Sequence, residues 1–140
     1  MGFLSLVALA FGQAPPPRGL AQPGAPLSPC PSTPNCVSTE ADDPRHAMPA
    51  VPFTDTPDSA QARARAALTA EPRTRVVLER PGYLHAESRS RLFRFVDDVE
   101  IVVDPAARVF RFRSASRVGR SDLGVNRKRM ERVGRRLTQR

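Results

Sequence analysis

Proline placement is the strongest constraint on this chain. Of 15 prolines, 12 fall between Pro15 and Pro57, and each removes a backbone donor, fixes its own φ and restricts the residue before it. That stretch reads as extended or irregular, so regular structure is expected to begin near Pro57. The 140 residues leave room for one domain, with a folding unit of about 85 residues. Residues 1–29 read as an apolar leader and Pro-rich linker, 30–56 as an irregular segment carrying both cysteines, and 57–140 as an α+β core.

Thr56-Pro57-Asp58 opens a helix, because a threonine side chain suits the N-cap and proline the first helical position. Ala60, Ala64, Ala67 and Leu68 follow at helical spacing, and Pro72 stops the run. Thr74 to Arg80 is a strand. Pro81-Gly82 turns it into a second, Tyr83 to Ser90. Ser90 to Asp104 and Arg108 to Ser116 form a second hairpin about Asp104-Pro105-Ala106-Ala107. If Asp104 pairs with Ala107, Val99 faces Phe112 and Ile101 faces Phe110 on an apolar side. On the other side Asp98 faces Arg113, Glu100 faces Arg111 and Val102 faces Val109. The clean sorting of the two faces supports that register. The expected architecture is α+β: an antiparallel sheet of about four strands from two hairpins, with one helix before it and one after.

Asp97 breaks the sorting. Strict alternation places it with Phe93, Phe95, Val99 and Ile101, facing the core. An unpaired buried carboxylate costs several kcal/mol, so Asp97 must be protonated, paired with arginine, or turned outward by a bulge at Asp97-Asp98.

The charge is one-sided. Residues 106–140 hold 12 Lys+Arg and 2 Asp+Glu, a balance of +10. The remaining residues hold 10 basic and 12 acidic, a balance of −2 within the total of +8. Met130, Val133 and Leu137 form a narrow apolar stripe by which a final, arginine-studded helix docks. Gly119 and Gly124 permit turns before it, and Asp122 or Asn126 caps it. The basic face suits an anionic partner or a membrane surface, or simply solvent. Nucleic-acid binding through this helix is disfavoured, because the sequence lacks a reading motif and the stripe argues that the helix packs down.

Gly2 to Phe11 is an apolar run too short to span a bilayer as a helix and long enough for the hydrophobic part of a signal peptide. Export or membrane attachment, in the periplasm or cell envelope, is therefore expected over a cytoplasmic location. Cys30 and Cys36 frame CPSTPNC. With five intervening residues and only His46 nearby this is a poor metal site, leaving either a small disulfide loop or two reduced thiols. No metal or cofactor is expected.

Three segments carry a resemblance. They are Cys30-Pro31-Ser32-Thr33-Pro34-Asn35-Cys36-Val37-Ser38; Tyr83-Leu84-His85 leading to Phe95-Val96-Asp97-Asp98-Val99-Glu100; and Arg113-Ser114-Ala115-Ser116-Arg117-Val118-Gly119 continuing to Ser121-Asp122-Leu123-Gly124-Val125-Asn126-Arg127. In that order, from about Cys30 to the C-terminus, the chain resembles the family of domains of unknown function designated DUF1499. Members often follow an apolar or export-type N-terminus, which the resemblance implies for Gly2 to Phe11. Arg120 stands where the family commonly has an aromatic. The resemblance brings no activity and no catalytic residues.

The candidate residues are His85, Asp97, Asp98, Arg113, Ser114, Ser116, Arg117, Asn126 and Arg127. They would form either an anion-binding site of amides and guanidinium groups or a rigid internal network. The favoured function is a non-enzymatic envelope protein that binds an anionic small molecule, a lipid headgroup or a protein partner. The alternative is a small hydrolase-type enzyme using His85 with Asp97 or Asp98.

Overall fold

The computed structural model describes residues 26–92 and 94–139; the apolar run Gly2 to Phe11 lies outside the described residues. In chain order the elements are β1 (Cys36–Ser38), β2 (Val51–Pro52), α1 (Pro57–Thr69), β3 (Thr74–Arg80), β4 (Tyr83–Arg89), β5 (Val96–Asp104), β6 (Val109–Ser116) and α2 (Val125–Thr138). No helix among the described residues is long and apolar enough to cross a membrane.

β3 to β6 form an antiparallel meander, and both β1 and β2 add to the outer edge of β6. The α+β class is as expected, but the sheet has six strands where two hairpins predicted about four. The two extra strands come from the proline-rich third. Cys36–Ser38 contains no proline, and β2 closes on Pro52 at a sheet edge, where a missing donor is tolerated. Val37 and Phe53 from this third are buried in the core.

α1 starts as its sequence dictates, with Thr56 Oγ1 accepting from Ser59 N at 3.1 Å. Ala60, Ala64, Ala67 and Leu68 are its buried face. Met130, Val133 and Leu137 of α2 are buried beside it. Both helices cover one face of the sheet, over Leu84, Ala86, Val99, Ile101, Phe110 and Phe112. Asp122 secures the start of α2, accepting from Gly124 N and Asn126 N.

The second hairpin keeps its predicted faces but not its predicted register. Asp104 pairs with Val109, Glu100 with Arg113, Ile101 with Phe112 and Asp98 with Ala115. Asp104 Oδ1 accepts from the amides of both Ala106 and Ala107, and Arg108 adopts φ 56°, so the loop takes four residues rather than two. The resulting slip is two residues, an even number, and leaves every side chain on its own face. The expected Asp98–Arg113, Glu100–Arg111 and Val102–Val109 pairs are therefore replaced. Arg111 instead forms ion pairs with Glu40 and Asp104.

The other face of the sheet is crossed by a strap formed by the segment from Leu27 to Cys30. Leu27 packs on Tyr83, Val102 and Leu78, and its amide donates to Glu40 at 2.7 Å. Cys30 and Cys36 are bonded, with a sequence separation of 6, which anchors the strap to β1. A loop this small contributes about 2 kcal/mol by restricting the unfolded chain. A Cys30→Ser, Cys36→Ser double variant is expected to lose about that much unfolding free energy in a urea titration, and unchanged stability would show that the strap needs no tether.

Candidate functional site

Alternation along β4, β5 and β6 divides the candidate residues between the two faces of the sheet. On the strap face, His85 Nε2 lies 2.7 Å from Asp98 Oδ1. Arg117 forks onto the same carboxylate, Nε to Oδ2 at 2.7 Å and Nη2 to Oδ1 at 2.8 Å. It also reaches Glu87 Oε1 at 3.1 Å. Burial alone would raise the Asp98 carboxyl, but the hydrogen bonds from His85 and Arg117 outweigh it and hold the group below its ordinary value. The same hydrogen bond to Asp98 holds the Arg117 guanidinium above its own.

Further along this face the Tyr83 hydroxyl donates to Glu100 Oε1 at 2.7 Å. Burial first, then that hydrogen bond to a carboxylate, pushes the phenol well up. Arg113, opposite Glu100, donates to Pro29 O at 3.3 Å in the strap. Its burial pushes the guanidinium down, and the nearby Glu100 and Asp98 charges offset part of that.

On the helix face, Asp97 is buried as the alternation predicts and is paired with Arg129 Nη2 at 2.7 Å. The strand does not bulge there, since Asp97 and Asp98 pair in register with Ser116 and Ala115. Arg129 Nη1 donates to Asn126 Oδ1 at 2.8 Å. Ser114 donates to the same oxygen at 2.6 Å. Asn126 Nδ2 donates in turn to Ser116 Oγ, Asp122 Oδ2 and Asn35 O. Asn35 carries the network to Gly119 O, closing the disulfide loop against the loop after β6. Arg127 stands apart from both sets and donates to the carbonyls of Ala47 and Arg45.

Ser114 and Ser116 are thus separated from His85 and Asp98 by the sheet itself, so a Ser–His–Asp constellation is not assembled. Surface hollows of about 320 and 290 Å³ are lined respectively by residues such as Gln61, Arg65 and Glu79, and by residues such as Leu27, Pro29 and Glu40. Neither is lined by His85, Asp97, Asp98 or Arg117.

The family model described as a protein of unknown function (DUF1499) matches residues 26–137. The chain belongs to the DUF1499 family. No curated protein and no solved structure matches it.

Arg129 of this DUF1499 chain was absent from the residues singled out by sequence, although it shares a helical face with Asn126 at i−3 and Val133 at i+4. A basic residue beside the apolar stripe of Met130, Val133 and Leu137 is the signal that could have found it. The same spacing explains Arg132 and Arg136, four apart, which both bind Glu71 after α1. Burial would raise the Glu71 carboxyl, and its bonds to Arg132 and Arg136 bring it below its ordinary value. Most of the positive charge expected on the surface of α2 is therefore spent inside the protein or on carbonyls.

Among the described residues Lys128 and Arg135 of α2, and Arg75 and Arg80 of β3, stay exposed with no side-chain hydrogen bond or ion pair, and three further cations lie together elsewhere. β4 ends at Arg89, β5 begins at Val96 and β6 ends at Ser116, all at one end of the sheet. Arg117 N donates to Val96 O at 3.0 Å, holding the 117–124 loop beside the 90–95 loop. Arg91, Arg94 and Arg120 in these loops are exposed, and no side-chain hydrogen bond or ion pair engages them among the described residues. Leu92 and Leu123, 80% and 88% exposed, sit among them.

Proposed function

We propose that this DUF1499 protein is a non-enzymatic, envelope-associated protein that binds an anionic group, carried by a small molecule, a lipid headgroup or the acidic face of a protein. The division of the cations is the observation that carries the reading. Arg117, Arg129, Arg132 and Arg136 are committed to carboxylates. Arg91, Arg94 and Arg120 are not, and they stand at the end of the sheet where Glu87 and Asp122 are already occupied. The envelope location rests on the apolar run Gly2 to Phe11 and on the Cys30–Cys36 bond, since disulfides persist in oxidising compartments. The separation of Ser114 from His85 by the sheet supports a binding role over a hydrolytic one.

Inositol hexakisphosphate, which carries dense phosphate charge and no acyl chain, provides the test. In low salt its titration into the ¹⁵N-labelled chain is expected to shift amides in 89–96 and 117–128, with affinity falling as salt rises. An Arg91→Gln, Arg94→Gln, Arg120→Gln variant is expected to lose those shifts. Equal binding by that variant would remove these loops from the reading, and no shift in low salt would end it.

A further inference from the structure

The end of the sheet that bears the free arginines also bears most of the exposed apolar side chains. Among the described residues five large hydrophobics are exposed, namely Val77, Leu92, Phe95, Leu123 and Val125. All but Val77 lie in the 90–95 loop or at the start of α2. Leu92 and Leu123 are the most exposed, at 80% and 88%. Each lies within three residues of a free arginine, Leu92 between Arg91 and Arg94 and Leu123 after Arg120. Lys128, also exposed, adds a fifth-residue neighbour to Leu123 in the first turn of α2. The loops are held in place: Ser90 and Phe95 exchange hydrogen bonds at 2.9 Å, and Asp122 fixes the backbone around Leu123. Leu123 and Arg94 adopt φ 55° and 56°, a conformation that costs a non-glycine residue energy. The sequence thus displays leucine where solvation and backbone preference both disfavour it.

Apolar tips ringed by cations, where the nearby carboxylates are Glu87, paired with Arg117, and Asp122, held by the Gly124 and Asn126 amides, match a bilayer bearing anionic headgroups: leucines enter the acyl boundary while guanidinium groups engage phosphates. A soluble anion would use the arginines and leave the leucines without a role. Resting on the anion-binding reading above, we infer that the 90–95 loop and the 119–125 segment form a membrane-docking end that takes an anionic phospholipid surface. The disulfide-bonded strap lies on a face of the sheet, and docking by the end leaves it undisturbed.

Co-sedimentation of the full, oxidised chain with phosphatidylcholine vesicles, with and without phosphatidylglycerol, tests the inference. Binding is expected only with phosphatidylglycerol. Each arginine beside an anionic surface multiplies partitioning by about fivefold, so Arg91→Gln, Arg94→Gln, Arg120→Gln should lower it on the order of a hundredfold. Leu92→Ser with Leu123→Ser should lower it by about tenfold. Arg80→Gln with Arg135→Gln, exposed cations remote from this end, should change it little. Because the chain has no tryptophan, a Leu92→Trp variant reports insertion directly, with emission expected to shift to the blue on phosphatidylglycerol vesicles. An unshifted emission, or equal loss from the remote pair, overturns the docking end. If inositol hexakisphosphate still shifts the loop amides while vesicles are not bound, the bilayer inference falls and the anion-binding reading stands. If neither binds, both fall.

Discussion

Arg129→Met is expected to lower the unfolding free energy by about 3–5 kcal/mol, the usual cost of stranding one member of a buried ion pair. Methionine is long enough to occupy much of the same space, so the loss reports charge and hydrogen bonding more than cavity formation. What it leaves behind is Asp97, 8% exposed, on the face of the sheet that α1 and α2 cover. Asn126 and Ser114 lose a donor at the same time. Urea unfolding at neutral pH measures the effect, and the Asp97→Leu, Arg129→Met double variant makes it interpretable. Replacing both members of a buried pair by apolar groups is often nearly neutral, so the double variant is expected to recover much of the stability. A double variant as unstable as the single one would mean that Asp97 is not what Arg129 supports. Asp97→Asn keeps an acceptor for Arg129 but leaves its buried guanidinium, which cannot give up its proton, without a counter-charge, so it is expected to destabilise as well.

Alternation of Val99, Ile101 and Asp97 was enough to bury the carboxylate and to require a compensation. It could not choose the arginine, because Arg129 lies 32 residues away and strand periodicity carries no information about which helical turn lands on which strand. Within SASRVG, Ser116 pairs with Asp97 along the ladder, while Arg117, continuing the alternation of Arg113 and Ala115, forks onto Asp98 on the opposite face. The hairpin register failed for a comparably local reason: the capping of two amides by Asp104 and the left-handed Arg108 lengthened the loop, while the face assignments survived because the slip was even. Helix starts and apolar stripes were legible from Thr56-Pro57 and from Met130, Val133 and Leu137. β1 and β2 were hidden because strands of two and three residues have too little periodicity to show among prolines. The exposed loops at the end of the sheet were hidden for another reason: Leu92 and Leu123 read as ordinary apolar residues until burial distinguishes them.

Asp98→Asn is expected to cost about 3 kcal/mol at neutral pH and, more tellingly, to change how stability depends on pH. The substitution keeps the shape that lies between His85 and Arg117 and removes the charge that both engage. In the wild-type chain the folded carboxyl sits below its ordinary value, so the folded state favours the ionised form. That contribution is fully present above the unfolded carboxylate value, about pH 4, and is lost as pH falls through the lower folded value. Glu71 and Asp122 are held down as well and steepen the acid limb of both proteins. The stability difference between wild type and Asp98→Asn, not either curve alone, therefore isolates Asp98. It should be widest near neutrality and narrow progressively below about pH 4. A gap that stays constant to low pH would show that the substitution acts through packing and not through the ionised carboxylate. The same direction of shift bears on function. A general base works best with a proton affinity near the working pH, and a carboxylate held below its ordinary value, with both oxygens committed, is displaced away from that optimum. Asp98 is arranged to stay ionised and to hold Arg117 at the root of the loop that carries Arg120 and Leu123, so its loss should weaken vesicle binding by loosening that loop rather than by removing a contact.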